Sequence, residues 1–243
     1  RAIFVESLAN PGGVIVDLEA IAKIAQEAEV PLIVDNTMAT PWLCRPFEWG
    51  ADLVVHSTTK FLSGQGNAMG GIVIDSGRFP WFGNAKYPSL SEPCPDYNGL
   101  TFAETFGDMA FTLYSHAVSL RDLGCTQSPM NAWITLNGVE TLPLRMERHV
   151  ENAQKVAGFL QQHPSVEWVS YAGLSSSPYY QLAQKYLQGK AGSVFTFGIR
   201  GGYESGLRLL EKVELFSHVS NIGDSRSLIL HPASTTHRQL SDE

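Results

Sequence analysis

A lysine in this sequence is surrounded by residue types that suit a covalent, phosphate-bearing ligand. Lys60 comes directly after Thr59 and three residues after Ser57, and glycine occupies positions 64, 66, 70 and 71. Hydroxyl side chains donate hydrogen bonds to phosphate oxygens, and glycine lets the backbone approach a ligand closely. A lysine amine that sits in a crevice and loses its proton easily can bond covalently to a carbonyl carbon. This segment is therefore a candidate site for a phosphorylated carbonyl compound.

A carboxylate elsewhere in the chain completes the chemistry of a particular cofactor. Asp35 closes the apolar run 32–34, and Asn10 lies in a loop after the first apolar run. Pyridoxal 5′-phosphate withdraws electrons only while its ring nitrogen stays protonated, and a carboxylate is the usual partner of that nitrogen. We predict this cofactor, with Asp35 on the ring nitrogen, Asn10 on the ring oxygen, and Lys60 as the attachment point. Ser57 and Thr59 are predicted to bind its phosphate.

Each of these residues also has an ordinary explanation when it is considered alone. Lys60 suits a surface lysine, and Asp35 suits an Asx turn or a helix cap. Ser57 and Thr59 suit helix caps, and Asn10 next to Pro11 suits a plain turn. The order of these residues and their places after predicted strands favour the cofactor site.

The first third of the chain predicts the elements that would position these side chains. Short apolar segments indicate strands at 2–5, 32–35, 52–56 and 71–74. A helix is predicted after Asp17, which suits an N-cap, and Glu19 and Lys23 are spaced as an i,i+4 ion pair. Short apolar strands separated by helices predict an α/β fold with a parallel sheet covered on both faces. The carboxyl ends of its strands share one edge, so the candidate residues are expected to converge there.

The rest of the chain predicts a second, smaller α/β block. The segment 79–101 is predicted to be a long irregular excursion, and helices are predicted at 106–123, from 129, and at 140–162. Arg145, Glu147 and Arg148 on the last of these helices are interpreted as a structural ion-pair network. Strands at 166–171, 193–199 and near 227–230 alternate with helices at 179–187 and 203–212. We predict two parts, 1–138 in a large domain and 139–243 in a smaller C-terminal domain.

Composition and motif spacing argue against several other classes of protein. The formal net charge is −7 with no basic stripe, which argues against a nucleic-acid partner, and no apolar run is long enough to cross a membrane. The three cysteines have no C-x-x-C spacing, so we predict a reducing, cytoplasmic location without zinc or disulfides. The histidines lack metal-ligand spacing, so no metal site is predicted. The glycine patterns of hydrolase elbows and dinucleotide sites are also missing.

Six motifs resemble the Cys/Met-metabolism family of pyridoxal-phosphate enzymes, which includes cystathionine γ-synthase, the γ-lyases and O-acetylhomoserine sulfhydrylase. They follow the family's order over nearly the whole chain, at residues 6–11, 34–37, 56–64, 128–133, 146–149 and 231–234. The resemblance implies an aspartate-aminotransferase-like (fold type I), mostly parallel sheet domain. It implies the same roles for Lys60, Asp35, Ser57, Thr59 and Asn10. It also implies that Asn221 contacts the substrate carboxylate, although a turn-forming asparagine stays an alternative.

Within that family, the excursion at 81–102 resembles the sulfhydrylase branch. The resemblance implies a transferase of methionine biosynthesis and transsulfuration that converts O-acetyl-L-homoserine and sulfide to homocysteine and acetate. Cystathionine γ-synthase and methionine or cystathionine γ-lyase activities are alternatives within the family. It further implies a homo-oligomer, a tetramer built from dimers, with sites shared between subunits.

The two ends of the chain suggest that it is part of a longer protein. It begins at Arg1 directly before a strand pattern and ends at Glu243 without a terminal element. The family's ring-stacking tyrosine, phosphate loop and carboxylate-binding arginine are expected outside this sequence. A non-catalytic fragment without a complete site is therefore the alternative from another class.

Overall fold

The computed structural model describes residues 1–238 of the chain. Residues 239–243, which the sequence places at the end of the smaller domain, lie outside the described part. The strands are β1 (Ile3–Glu6), β2 (Leu32–Asp35), β3 (Leu53–Ser57), β4 (Gly71–Asp75), β5 (Val166–Ser170), β6 (Thr196–Ile199), β7 (Ser217–His218) and β8 (Leu228–Ile229). The α-helices are α1 (Leu18–Glu27), α2 (Thr40–Leu43), α3 (Pro88–Ser91), α4 (Phe102–Phe106), α5 (Ala110–Tyr114), α6 (Pro129–Glu140), α7 (Leu142–Gln161), α8 (Tyr180–Tyr186) and α9 (Gly202–Lys212).

The main sheet has the order β1-β2-β3-β4. The pairs β1–β2 and β2–β3 are parallel, as the apolar runs predicted, and Glu6 pairs with Asp35 at the carboxyl edge. The strand β4 differs, because it runs antiparallel to β3 and pairs Gly71 with Ser57. After β3 the chain turns back at the carboxyl end of that strand. No crossover returns it to the amino end of β3, so β4 has to run antiparallel to β3.

Helix α1 begins at the predicted cap and docks on the C-terminal part of the chain. The Asp17 carboxylate accepts a hydrogen bond from the N–H of Ala20 at 3.2 Å, which satisfies a free donor of the first turn. The hydroxyl of Tyr186 in α8 donates to the same carboxylate. Glu19 does not use the predicted i,i+4 partner, because its carboxylate accepts from Lys185 at 2.5 Å. A tertiary contact thus replaces the local ion pair.

Two clusters of buried apolar residues hold the described part together. The main cluster joins β2, through Leu32 and Val34, to Met146 of α7 and to Tyr171 and Leu187 beyond it. It therefore includes residues from both predicted domains, and the predicted break near 137–138 falls inside α6. The division into two domains stays a prediction.

The second cluster belongs to the predicted irregular excursion, which the structure orders. Its buried members are Phe79, Trp81, Leu90, Phe102, Ala103 and Ala110. Trp81 stacks on Phe111 with ring centroids 5.6 Å apart. The helix predicted at 106–123 is present as three helical segments in direct succession, at 107–109, in α5 and at 115–122. Gly107, with a positive φ of 55°, separates this run from α4.

Within residues 1–238, no helix is long and apolar enough to cross a membrane. The same residues contain no group of three or more histidine, cysteine, aspartate or glutamate side chains arranged to hold a metal ion.

We predict that Asp17→Ala lowers the free energy of unfolding by about 1–2 kcal/mol, because α1 loses its cap and Tyr186 loses its acceptor. Urea unfolding followed by circular dichroism measures the change. Glu27→Ala, at an exposed position in the same helix, is the control and should stay within about 0.5 kcal/mol of the unsubstituted protein. Equal stability of the two variants would contradict this role for Asp17.

Candidate functional site

A buried hydrogen-bond network fixes the chain where it leaves β2. The Ser7 hydroxyl donates to Asn36 Oδ1 at 2.7 Å, and Asn36 Nδ2 donates to the Cys44 carbonyl at 2.9 Å. Ser7, Asn36 and Cys44 are fully buried, so these polar groups have no solvent alternative. The network holds the backbone directly next to Asp35, the residue predicted to face the cofactor ring.

Thr37 connects Asp35 to the end of β3. Its N–H donates to Asp35 Oδ1 at 2.9 Å, and its hydroxyl oxygen accepts from the N–H of Ser57 at 2.8 Å. The first contact is the Asx turn that the sequence also allowed. Among the described residues, none donates a hydrogen bond to Asp35 Oδ2. One carboxylate oxygen therefore fixes the side chain, and the other is available to a ligand.

Lys60 lies on the turn 58–62 that follows β3, and its amine meets the C-terminal part of the chain. The backbone leaves the helical conformation at Lys60, with φ −94° and ψ −124°. The half-buried amine donates to Asn221 Oδ1 at 2.7 Å. The N–H of Ser225 donates to the Gly64 carbonyl at 2.9 Å, which seats the loop 221–225 on the lysine turn. The structure thus brings together Lys60 and Asn221, which are 161 positions apart.

The two predicted phosphate-binding hydroxyls differ in their present contacts. The Ser57 hydroxyl makes no hydrogen bond with any other group in residues 1–238. The Thr59 hydroxyl accepts from the N–H of Gly70 at 3.1 Å and donates to its carbonyl at 3.3 Å. Ser57 can therefore donate to a phosphate directly. Thr59 can do so only if its proton leaves the Gly70 carbonyl.

Asn10 is not joined to the other predicted residues. It lies on an exposed turn beyond β1, and its backbone N–H donates to the Glu6 carboxylate at 3.2 Å. Within residues 1–238, no hydrogen bond links it to Asp35 or Lys60. Its predicted contact with the ring oxygen stays a prediction.

Arg145 has a role that the sequence interpretation missed. The predicted ion-pair network is wrong for this residue, because its guanidinium donates to the carbonyls of Phe61 at 2.8 Å and Gly138 at 2.7 Å. The ion pairs on the helix instead join Glu151 to Arg148 and to Lys155. The local sequence could not reveal these carbonyl acceptors, since the one at Phe61 lies 84 positions away.

The surroundings of two histidines near the site lower their pKa. Burial lowers the pKa of His56, and the nearby Asp35 carboxylate counteracts this in part. Burial is also the main cause that lowers the pKa of His149, and the adjacent Arg145 cation adds to it. His149 packs edge-on against Phe61, with ring centroids 5.7 Å apart. The lysine turn therefore rests on a neutral imidazole at neutral pH.

The donor set at this edge of the sheet fits pyridoxal 5′-phosphate. Asp35 offers a carboxylate oxygen for a ring N–H, Ser57 offers a hydroxyl for a phosphate, and Lys60 offers an amine for a carbonyl. All three lie at the carboxyl ends of adjacent strands or just beyond them, where ligands of open α/β sheets bind.

Known proteins match this chain along its whole length. A family model described as "Cys/Met metabolism PLP-dependent enzyme" matches residues 1–243. An O-acetyl-L-homoserine sulfhydrylase of Leptospira meyeri is 51% identical, over 99% of this chain and 56% of that protein. O-acetyl-L-homoserine sulfhydrylase 1 of Thermus thermophilus is 50% identical, over 100% of this chain and 58% of that protein.

A solved structure matches as well. The crystal structure of a putative O-acetylhomoserine (thiol)-lyase from Campylobacter jejuni, which contains N′-pyridoxyl-lysine-5′-monophosphate, superposes with a TM-score of 0.95 at 43% identity. The match covers 100% of this chain and 58% of that one. The chain thus spans a little over half the length of the relatives that it matches.

The lowered pKa of the half-buried His149 indicates that acid destabilises the fold. Because burial lowers the pKa of His149, the unfolded chain takes up its proton first as the pH falls through the ordinary value of 6.5. The free energy of unfolding should therefore be fully retained above pH 6.5 and decrease below it, until the folded protein is protonated as well. Urea unfolding at pH 7.5 and at pH 5.5 measures the decrease, which should be smaller in His149→Gln. The exposed His218→Gln serves as the control, and an unchanged pH dependence in His149→Gln would contradict the prediction.

Proposed function

The chain belongs to the Cys/Met-metabolism family of pyridoxal-phosphate-dependent enzymes, and from this premise we propose that the protein carries out a γ-replacement. In this reaction sulfide displaces acetate from Cγ of O-acetyl-L-homoserine, and the products are homocysteine and acetate. The observation that carries the proposal is the half-buried Lys60 amine beside the strand end that bears Asp35, with one carboxylate oxygen unused. Relatives with sulfhydrylase names at 51% and 50% identity support the choice of reaction.

The residues of this chain have distinct tasks in that reaction. Pyridoxal phosphate, when bound, withdraws electrons from the substrate and makes its Cα and Cβ protons removable. Asp35 keeps the ring nitrogen protonated through the oxygen that Thr37 leaves unused. Lys60 holds the cofactor until the substrate amine replaces it. The freed amine then takes the proton from Cα and passes it on, which restores its lone pair, and next takes the proton from Cβ. Acetate leaves Cγ, hydrosulfide bonds to the same carbon, and Lys60 returns the protons.

We assign Asn221 two tasks, one at the lysine and one at the substrate. Its amide oxygen accepts from the Lys60 amine at 2.7 Å, so it can hold that amine while the lysine is detached from the cofactor. Its amide nitrogen is a donor that suits the substrate carboxylate. Ser57 donates to the cofactor phosphate, and Thr59 joins it when its proton is released from Gly70.

The protein at its full natural length is expected to form homocysteine from O-acetyl-L-homoserine and sulfide. It should have a yellow absorption band that hydroxylamine removes. Lys60→Ala should lose the band and lower turnover by at least about 10³-fold, because both the attachment point and the base are removed. A thiol-detecting assay of homocysteine formation measures turnover.

The matched control is Lys23→Ala, an exposed lysine on α1, which should keep the full rate. The alternatives within the family are tested in parallel with cysteine as the acceptor and with methionine as a substrate for elimination. If cystathionine formation or methionine breakdown is faster than homocysteine formation, the proposed reaction is wrong and the protein has one of those activities. Substantial turnover by Lys60→Ala would reject the assignment of the lysine.

The proposal extends to a homo-oligomer in the reducing cytoplasm, with sites shared between subunits. Its support is a group of solvent-exposed apolar side chains, one just before β4 and three on α6: Met69, Met130, Trp133 and Leu136. The free cysteines Cys44, Cys94 and Cys125 suit a reducing compartment. Light scattering on the full-length protein should give a multiple of the subunit mass. A single-subunit mass in active protein would contradict shared sites.

A further inference from the structure

One cation holds the backbone of the turn that carries Lys60. Arg145, in the first turns of α7, donates from Nη1 to the Phe61 carbonyl at 2.8 Å and from Nη2 to the Leu62 carbonyl at 3.4 Å. The same Nη2 donates to the Gly138 carbonyl at 2.7 Å, near the end of α6. Nε donates to the Thr141 hydroxyl at 3.1 Å. The planar guanidinium thus joins the lysine turn to two helices.

The contacts of Arg145 are unusual because all of its acceptors are uncharged. Within residues 1–238 it forms no ion pair with a carboxylate, whereas Arg148 on the same helix pairs with Glu151 at 3.4 Å. Burial lowers the pKa of Arg145, which reflects the loss of water around its charge. A partly buried cation without a counter-charge is costly to maintain. Two of its four acceptors are the carbonyls directly after Lys60, so these contacts stabilise the lysine turn.

The C-terminal loop holds the backbone just after the same turn. The Gly64 carbonyl accepts from the N–H of Ser225 at 2.9 Å, and the space that a side chain at Gly64 would need is filled by Arg145. Gly64 also has a left-handed φ of 81°, which suits glycine. The turn is thus held by Arg145 and by the loop that supplies Asn221, whose Gly223 packs against the backbone of Lys60 and Phe61. The backbone departs from the helical conformation at Lys60, next to both supports.

We propose that Arg145 is a positioning residue, which holds the Phe61 and Leu62 carbonyls so that the Lys60 amine meets the cofactor carbonyl and Asn221 together. This inference rests on the proposed function, because it assigns Lys60 as the attachment point. A small displacement of a reacting group is enough to reduce the rate strongly. Hydrogen bonds from a charged donor to carbonyls are strong enough to fix a turn in this way.

The test compares Arg145→Ala with Arg148→Ala in the protein at its full natural length. The fraction of Lys60 linked to pyridoxal phosphate is measured by borohydride reduction and peptide mass analysis over a titration with the cofactor. We expect half-occupancy of Lys60 in Arg145→Ala to need on the order of tenfold more cofactor, because the strong contacts to the turn are gone. Millimolar guanidinium should restore part of the loss in Arg145→Ala. Arg148→Ala should match the unsubstituted protein.

A second variant, Arg145→Lys, keeps the test decisive if Arg145→Ala does not fold. A single ammonium cannot bond the carbonyls of 61, 62 and 138 together. This variant should therefore also need more cofactor for half-occupancy of Lys60, while its circular dichroism spectrum stays native. Unchanged Lys60 occupancy in folded Arg145 variants would overturn the positioning role and leave the proposed function intact. A loss of Lys60 occupancy in folded Arg145→Ala that guanidinium does not reduce would also overturn the positioning role and leave the proposed function intact. Absence of the adduct from the unsubstituted protein would overturn both.

Discussion

The parallel pairing of β1, β2 and β3 is the constraint on which the rest of the site depends. Parallel strands end at the same edge, so side chains that follow different strands lie close together there although they are far apart in the sequence. The register pairs Glu6 with Asp35 and Asp35 with Val55, so β1 and β2 end level and β3 continues past them to Ser57. A slip of one residue would turn Asp35 to the other face of the sheet.

The site residues are held mostly by hydrogen bonds between a side chain and a distant stretch of backbone. Asn36 bonds to the Cys44 carbonyl, Thr37 accepts from the Ser57 N–H, and Arg145 bonds to the carbonyls after Lys60. Such bonds fix the main chain and leave the reactive side chains free for ligands. Asp35 is an example, since one of its carboxylate oxygens anchors the side chain and the other has no partner among the described residues.

Sequence patterns predicted those features whose causes are local. The Asp17 cap, the apolar runs of β1 to β3 and the place of Lys60 after β3 are determined by neighbouring residues, and the structure agrees with them. The antiparallel β4 was not predictable from apolarity, because a parallel and an antiparallel strand can have the same composition. The Glu19–Lys185 pair and the Arg145 contacts join residues 166 and 84 positions apart, so spacing along one helix could not reveal them. The site assignments depended on the motif resemblance, because local patterns left an ordinary explanation open for each residue.

The separation of the two buried clusters has a consequence for how this sequence can change over time. Residues 79–114 bury their aromatic groups mainly against one another, while β2, α7 and α8 share the main cluster. Substitutions in clusters that share no partners affect stability additively. Substitutions that repack 79–114 should therefore change stability without requiring a compensating change around Lys60 and Asp35. The excursion can vary in sequence while the strand ends that carry the site keep their own packing.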